Sequence, residues 1–158
     1  MIGQTISHYK ILEKLGEGGM GVVYKAQDTK LERFVAIKFL PSHLSSNAEN
    51  KARFLQEAKA TAALNHPNIL SIYEIDDHDE HPFIVLEFID GQTLKEYLAG
   101  LDTGSGLPIK QAIEWTEKIA QGLKIAHDKN IIHRDIKAEN IMLTKSGQLK
   151  IMDFGLEK

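Results

Sequence analysis

The chain has 158 residues, 42% hydrophobic and 26% charged, a composition that supports a packed globular core. A formal net charge of -3 argues against a nucleic-acid surface, and the lack of cysteine excludes a disulfide framework or a thiolate metal site, which fits a cytoplasmic setting. No basic region leading into an apolar run marks a signal peptide at the start, and the longest apolar run, Ile84-Val85-Leu86, is broken by Glu87, so no membrane segment is expected.

Residues 9–15 read as a strand that runs into the turn Gly16-Glu17-Gly18-Gly19-Met20-Gly21, and Val22-Val23-Tyr24-Lys25-Ala26 continue as a second strand. The turn spells G-x-G-x-x-G-x-V. Dinucleotide-binding folds open with the same glycines, but there a helix has to follow them. The β-branched and aromatic residues after Gly21 favour instead a hairpin lid whose backbone amides lie over phosphates. On this stretch alone, a glycine-rich hairpin without a ligand stays open. In Val35-Ala36-Ile37-Lys38, strand alternation puts Ala36 and Lys38 on one face. A small Ala leaves room for a flat ring, and Lys38 brings a charge for its phosphates, against the commoner fate of a lysine, which is solvent.

Ser46 or Asn47 caps a helix over residues 48–64, where Phe54, Leu55, Ala58, Ala62 and Leu64 recur at helical spacing. Glu57 lies on this helix. By itself it reads as a solvated charge; with Lys38 upstream, a Lys38–Glu57 ion pair is the stronger expectation. His66 ties the helix end to the next strand. Strands over 69–75 and 83–88 flank residues 76–82, whose His and Asp side chains read as a solvated acidic turn and not as a metal site, since nothing there fixes ligand geometry. Residues 87–91 look like a linker, 93–98 a short helix, and 100–108 a Gly- and Ser-rich loop.

The best-defined helix covers 109–129, with Ile109, Ala112, Ile113, Thr116, Ile119, Ala120, Leu123 and Ala126 at three- and four-residue spacing. Gly122 in its middle, about 1 kcal/mol worse than Ala, signals close packing. The helix is apolar over more than one face, Trp115 and Ile125 lying off the main stripe, which predicts that it needs neighbours on several sides.

The densest chemistry follows in His133-Arg134-Asp135-Ile136-Lys137-Ala138-Glu139-Asn140 and in Asp153-Phe154-Gly155. The apolar runs 130–132, 141–143 and 149–152 read as short strands, so two carboxylates, an amide and a lysine sit on loops between buried strands. Five specified residues in the eight-residue window H-R-D-x-K-x-x-N recur by chance on the order of once in three million starts, at about one in twenty per residue. That makes the window specific even alone.

Together these motifs resemble the Ser/Thr protein kinase family, and most closely the eukaryotic-like kinases of bacteria, whose glycine loop typically has the form of residues 16–26. The resemblance runs from about Tyr9 to the last residue. It implies an α+β, protein-kinase-like fold: a small lobe of antiparallel sheet plus one helix over 1–88, a hinge at 89–92, and the first, mainly helical part of a large lobe over 93–158. It implies ATP and Mg²⁺ as cofactors, and Ser/Thr hydroxyls of protein substrates as acceptors, as Lys137 two positions after Asp135 suggests. By resemblance Asp135 accepts or orients the substrate hydroxyl proton, Lys137 steadies the transferring phosphoryl group, and Asn140 and Asp153 hold Mg²⁺. Lys38 pairs with the α/β-phosphates and with Glu57. Leu15, Gly16, Gly18, Gly21 and Val23 cover the nucleotide, Ala36 lies above its ring and Met142 below, Leu86 is the gatekeeper, and Glu87 and Ile89 offer backbone groups to adenine. Phe154 and His133 look like packing groups.

The chain stops at Lys158, before the activation segment and later helices that the family carries. The expectation is therefore the catalytic half of a kinase domain, weak or inactive by itself, marginally stable and prone to self-association. A non-catalytic nucleotide-binding or scaffold remnant stays open as the alternative.

Overall fold

A computed structural model describes residues 1–18, 21–40, 47–79, 81–101 and 106–154. Gly19, Met20, Ser46 and Gly155, which enter the sequence reading, lie outside the described residues. Two compact units divide the chain: Met1–Ala63 with Ser71–Phe88, and Leu64–Leu70 with Ile89–Lys158.

In the first unit, β-branched and aromatic residues with period two form six antiparallel strands: β1 (Thr5–Ile6), β2 (Tyr9–Gly18), β3 (Gly21–Asp28), β4 (Arg33–Phe39), β5 (Ile72–His78) and β6 (His81–Glu87). Their order is β1-β2-β3-β4-β6-β5. Val35, Ile37 and Phe39 join Ile6, Tyr9, Ile11, Ala26, Phe83 and Val85 in one apolar core, which leaves Ala36 and Lys38 together on the other face of β4, as alternation requires. Helix α1 (Ala48–Ala62) starts where the Asn47 side chain accepts the amide protons of Glu49 and Asn50, at 2.9 and 3.2 Å. It packs on β5 and β6. Gly21 closes the β2–β3 hairpin opposite Gly18 at φ +117°, a value that glycine reaches without steric cost.

β5 begins later than the sequence suggests. Asp76, Asp77 and His78 belong to it and pair with Phe83, Pro82 and His81. β5 is the edge of the sheet, so its backbone is satisfied by β6 while its polar side chains keep their water. Among the described residues no group of three or more His, Cys, Asp or Glu is placed to hold a metal.

At the end of β3, Asp28 is buried. Its Oδ1 accepts the amide protons of Lys30 and Leu31 at 3.0 Å, and His8 Nε2 and Arg33 Nε each lie 3.7 Å from the carboxylate. Burial pushes this carboxyl up, but the two amides, His8 and Arg33 outweigh it and hold the group below the ordinary carboxylate range. A depressed folded-state pKa contributes stability that is present above the unfolded value and lost as pH falls through the folded one. Asp28→Asn is expected to cost about 1.5–3 kcal/mol at pH 7, the worth of hydrogen bonds to a charged group, and to flatten the acid limb of a plot of Tm against pH. An unaltered acid limb would remove Asp28 from the account.

The second unit holds β7 (Gly91–Thr93), α2 (Leu94–Ala99), α3 (Ile109–His127), β8 (Ile141–Thr144) and β9 (Leu149–Ile151), with the three strands in sequence order in one sheet. Thr93 and Glu96 close a reciprocal capping box at the start of α2. Two apolar clusters line α3. One comprises Leu64, Ile69, Ala126, Ile151 and Phe154, the other Trp115, Ile141, Leu143 and Leu149, and Ile119 packs against both. Gly122 marks the close approach its position predicts: a Cβ there would meet Ile151 Cδ1 at 3.0 Å.

Two expectations change here, after one that is met, that α3 has neighbours on several sides. Trp115 is buried, edge-to-face with Tyr97 at 5.3 Å between ring centroids, and Ile125 packs against the first cluster. The apolar residues of α3 that do face water are Ile109 and Ile113, 80% and 63% exposed. Residues 130–132 form no strand, because the amides of Lys129, Asn130 and Ile131 turn back onto the last carbonyls of α3 at 2.9–3.0 Å. β7 stands where the sequence suggests the end of a linker and the start of a helix.

Candidate active site

Register assembles the first-unit residues. Val23 lies opposite Lys38, and Ala36 opposite Leu86. Directly opposed residues share a face, so Val23, Ala36, Lys38 and Leu86 line the same side of the sheet. Lys38 is 4% exposed. Gly16 is paired with Val23, and Leu15 falls at the irregularity between Lys14 and Gly16, exposed. Glu87 ends β6, where its amide donates to Ser71 O at 2.9 Å and its Oε2 accepts from the Ser71 amide at 3.3 Å. Glu57 makes an ion pair with Arg53 Nε at 3.5 Å, one helical turn earlier.

The second-unit residues form a tighter constellation. Asn140 is buried at the end of the 3-10 turn Ala138–Asn140. Its Nδ2 donates to Asp135 O at 2.9 Å and to Asp135 Oδ2 at 2.8 Å, and Lys137 Nζ stands 2.6 Å from the same Oδ2. One carboxylate oxygen thus takes an amide and a cation together. Lys95 pairs with Glu139 at 2.9 Å and fastens the turn to α2.

His133 is 2% exposed. Its Nδ1 accepts the Asp135 amide proton at 3.2 Å, which leaves the ring proton on Nε2 to donate to Met152 O at 2.6 Å. Burial holds its imidazole below the usual range, against the raising effects of Met152, Asp153 and Asp135, and the ring is neutral. Its edge meets the Phe154 ring at 4.7 Å. The Met152 amide donates in turn to Asn140 O at 2.9 Å. Both backbone groups of Met152 are therefore clamped, and Asp153 follows directly. Arg134 and Asp153 adopt left-handed backbone, φ +70° and +54°. Non-glycine residues in that region store strain of order 1–3 kcal/mol, and such residues cluster at functional sites.

Met142 sits on β8 between Thr93 and Lys150. Neither backbone group of Ile89 is taken by another described residue. The donor set suits a hard cation such as Mg²⁺. Both Asn140 amide protons go to Asp135, so its Oδ1 is left as an acceptor without a donor among the described residues, and Asp153 adds carboxylate oxygens in the same unit.

A family model for the protein kinase domain matches residues 9–158. The chain belongs to the protein kinase family. It is 42% identical, over its whole length, to a probable serine/threonine-protein kinase of Clostridium perfringens, of which it covers 23%. It is also 42% identical to the serine/threonine-protein kinase PrkC of Bacillus subtilis, with 99% of its own length and 24% of that protein covered. The chain thus spans about a quarter of the length of the curated relatives it matches. Its fold matches the crystal structure of the Mycobacterium tuberculosis PknI kinase domain with a TM-score of 0.86 at 28% identity, over 100% of this chain and 64% of that one.

Two anchors of the site escaped sequence reasoning. The Met152 contacts use its backbone, which leaves no signal in residue identity. Arg53 did carry one, a cation at i-4 from Glu57 on a predicted helix, the spacing at which opposite charges meet.

Proposed function

We propose that this kinase transfers the γ-phosphoryl group of Mg-ATP to serine or threonine hydroxyls of proteins. The observation that carries the reading is the shared hold of Lys137 and Asn140 on Asp135 Oδ2, which fixes one carboxylate on a loop that a substrate hydroxyl could approach. Asp135 receives or orients the hydroxyl proton, and Lys137, half-exposed beside it, offsets charge on the transferring group. Phosphoryl transfer asks mainly for positioning and charge stabilisation, and well-oriented groups supply roughly 7–11 kcal/mol of a barrier. Asn140 and Asp153 would hold Mg²⁺, which neutralises phosphate charge when bound. Lys38 serves the α/β-phosphates, Val23 and Ala36 contribute to nucleotide binding from the first unit, and Met142 contributes from the second. Leu86 is the gatekeeper, and Glu87 and Ile89 offer backbone groups to the adenine edge. The turn of Gly16, Gly18 and Gly21, with Leu15, lies over the phosphates.

Among the described residues no helix is long and apolar enough to cross a membrane; the proposed use of ATP suits a cytoplasmic setting. Exposed Ile109 and Ile113 favour self-association of the 158-residue chain.

The nucleotide site is tested by thermal shift. Mg-ATP at a hundred times its Kd should stabilise the chain by about 2.7 kcal/mol, and Lys38→Met should abolish the shift. A wild-type chain indifferent to Mg-ATP would overturn the reading. Nucleotide binding without phosphate transfer by the intact kinase would make it a non-catalytic binding module.

A further inference from the structure

We infer that Lys25 is a positioning residue that, by holding the Phe88 ring, fixes the backbone with which Glu87 and Ile89 meet adenine. The inference rests on the proposed adenine contacts of those two residues. Lys25 lies on β3 opposite Ala36, which lies opposite Leu86 on β6, so it shares their face of the sheet. Phe34, two residues before Ala36, is on that face by alternation. Lys25 Nζ stands 4.8 Å from the centre of the Phe34 ring and 4.7 Å from that of Phe88, both within cation–π range. The two rings meet edge-to-face at 6.3 Å. Glu13 Oε1, on β2, completes the enclosure 3.2 Å from Nζ. A lysine side chain ordinarily stays in solvent, yet this one is only 22% exposed.

The enclosure sits where the sheet lets go of the chain. The β4–β6 ladder ends with Val35 opposite Glu87, and Phe88 is the next residue. In the register of that ladder Phe34 is its next partner in line, and the contact between them is made by rings. A ring pair with one member, Phe34, 52% exposed is a loose fastening by itself. The ammonium, carried on β3, bridges both rings and ties Phe88 to the sheet. Glu87 precedes Phe88 and Ile89 follows it, so the two residues proposed to meet adenine flank the ring that Lys25 holds. Glu13 offsets the charge of Lys25, and positioning, not attraction of phosphate, is its contribution.

Lys25→Gln is expected to weaken adenosine and Mg-ATP alike, about three- to tenfold, the scale of a lost cation–π contact, and Lys25→Arg to bind both near the wild-type level. Glu13→Gln removes the ion pair and keeps the ring contacts, so its affinities should also stay near wild type. A role in stability alone would lower Tm in Lys25→Gln and leave adenosine affinity unmoved. Where wild type binds adenosine, an unchanged affinity in Lys25→Gln, or a loss confined to Mg-ATP, overturns the inference. A second measurement needs no nucleotide. Backbone NMR order parameters at Phe88 and Ile89, about 0.85 for a rigid chain, should fall toward about 0.6 in Lys25→Gln and hold in Lys25→Arg. Unchanged order overturns the inference even if Mg-ATP binds as proposed. A fall in order supports it even if Mg-ATP does not bind, and in that case only the nucleotide reading fails.

Discussion

Asp135→Asn is expected to lower kcat for protein phosphorylation by the intact kinase about 10²–10⁴-fold while nucleotide affinity is kept. The substitution preserves size and leaves one oxygen, so the loop has little steric reason to rearrange. What it removes is the charge on Oδ2, which now receives Lys137 Nζ and Asn140 Nδ2 at 2.6 and 2.8 Å. An amide nitrogen in that place would face two donors, and an amide oxygen would be a far weaker base toward a hydroxyl proton. His133 supplies the contrast. Its two ring nitrogens are committed to the Asp135 amide and to Met152 O, and it is buried and neutral. His133→Gln should therefore appear first as a lower Tm, with the larger kcat loss reserved for Asp135. An Asp135→Asn enzyme that phosphorylates protein at the wild-type rate would end the assignment.

The second large effect is structural. A Cβ on Gly91 would lie 2.1 Å from Leu143 O and 2.9 Å from Leu143 C, both backbone atoms of the neighbouring strand. No rotamer change relieves that contact, so β7 must part from β8, and the ladder that sets Met142 opposite Thr93 parts with it. Gly91→Ala should cost about 3 kcal/mol, the upper part of the usual range for overpacking. That corresponds to roughly 6–12 °C in Tm for a domain of this size. Gly122→Ala makes the control. Its nearest obstacle, at 3.0 Å, is Ile151 Cδ1, the end of a flexible side chain, and alanine regains about 1 kcal/mol of helix propensity. Differential scanning of the two variants separates them. A Gly91→Ala melt within two degrees of wild type would show that β7 contributes little.

What the sequence made legible were the features written in side-chain identity and period. H-R-D-x-K-x-x-N named Asp135, Lys137 and Asn140, and the structure joins them through one oxygen. The three-and-four spacing of α3 placed its helix to within two residues at the C-terminal end. Alternation placed Ala36 and Lys38 on one face of β4. The misses have physical causes of a different kind. β7 is three residues long with no apolar period, and it exists because a glycine admits the neighbouring backbone. β5 keeps its acidic residues because an edge strand hydrogen-bonds on one side only. Residues 130–132 look like a strand in composition, yet carbonyls left over at the end of α3 claim their amides first. Trp115 lies off the helix stripe but on a side where Tyr97 happens to wait, which periodicity within one helix does not reveal.

The return of residues Leu64–Leu70 to the second unit carries a consequence for biogenesis. Asn68 Nδ2 donates to Leu149 O at 2.9 Å across 81 positions of sequence, the Ile151 amide donates to Asn68 O at 2.8 Å, and the Leu70 amide to Ile151 O at 2.9 Å. The strands of the first unit all lie between Thr5 and Glu87, so its sheet can close while the ribosome is still far from Leu149. At about 5–20 residues per second, Asn68 waits roughly 4–16 s for its partner to be made. Through that interval Leu64 and Ile69, core residues of the finished fold, are a segment whose partners do not yet exist, and they are the first place where a trigger factor or holdase would find apolar chain to grip.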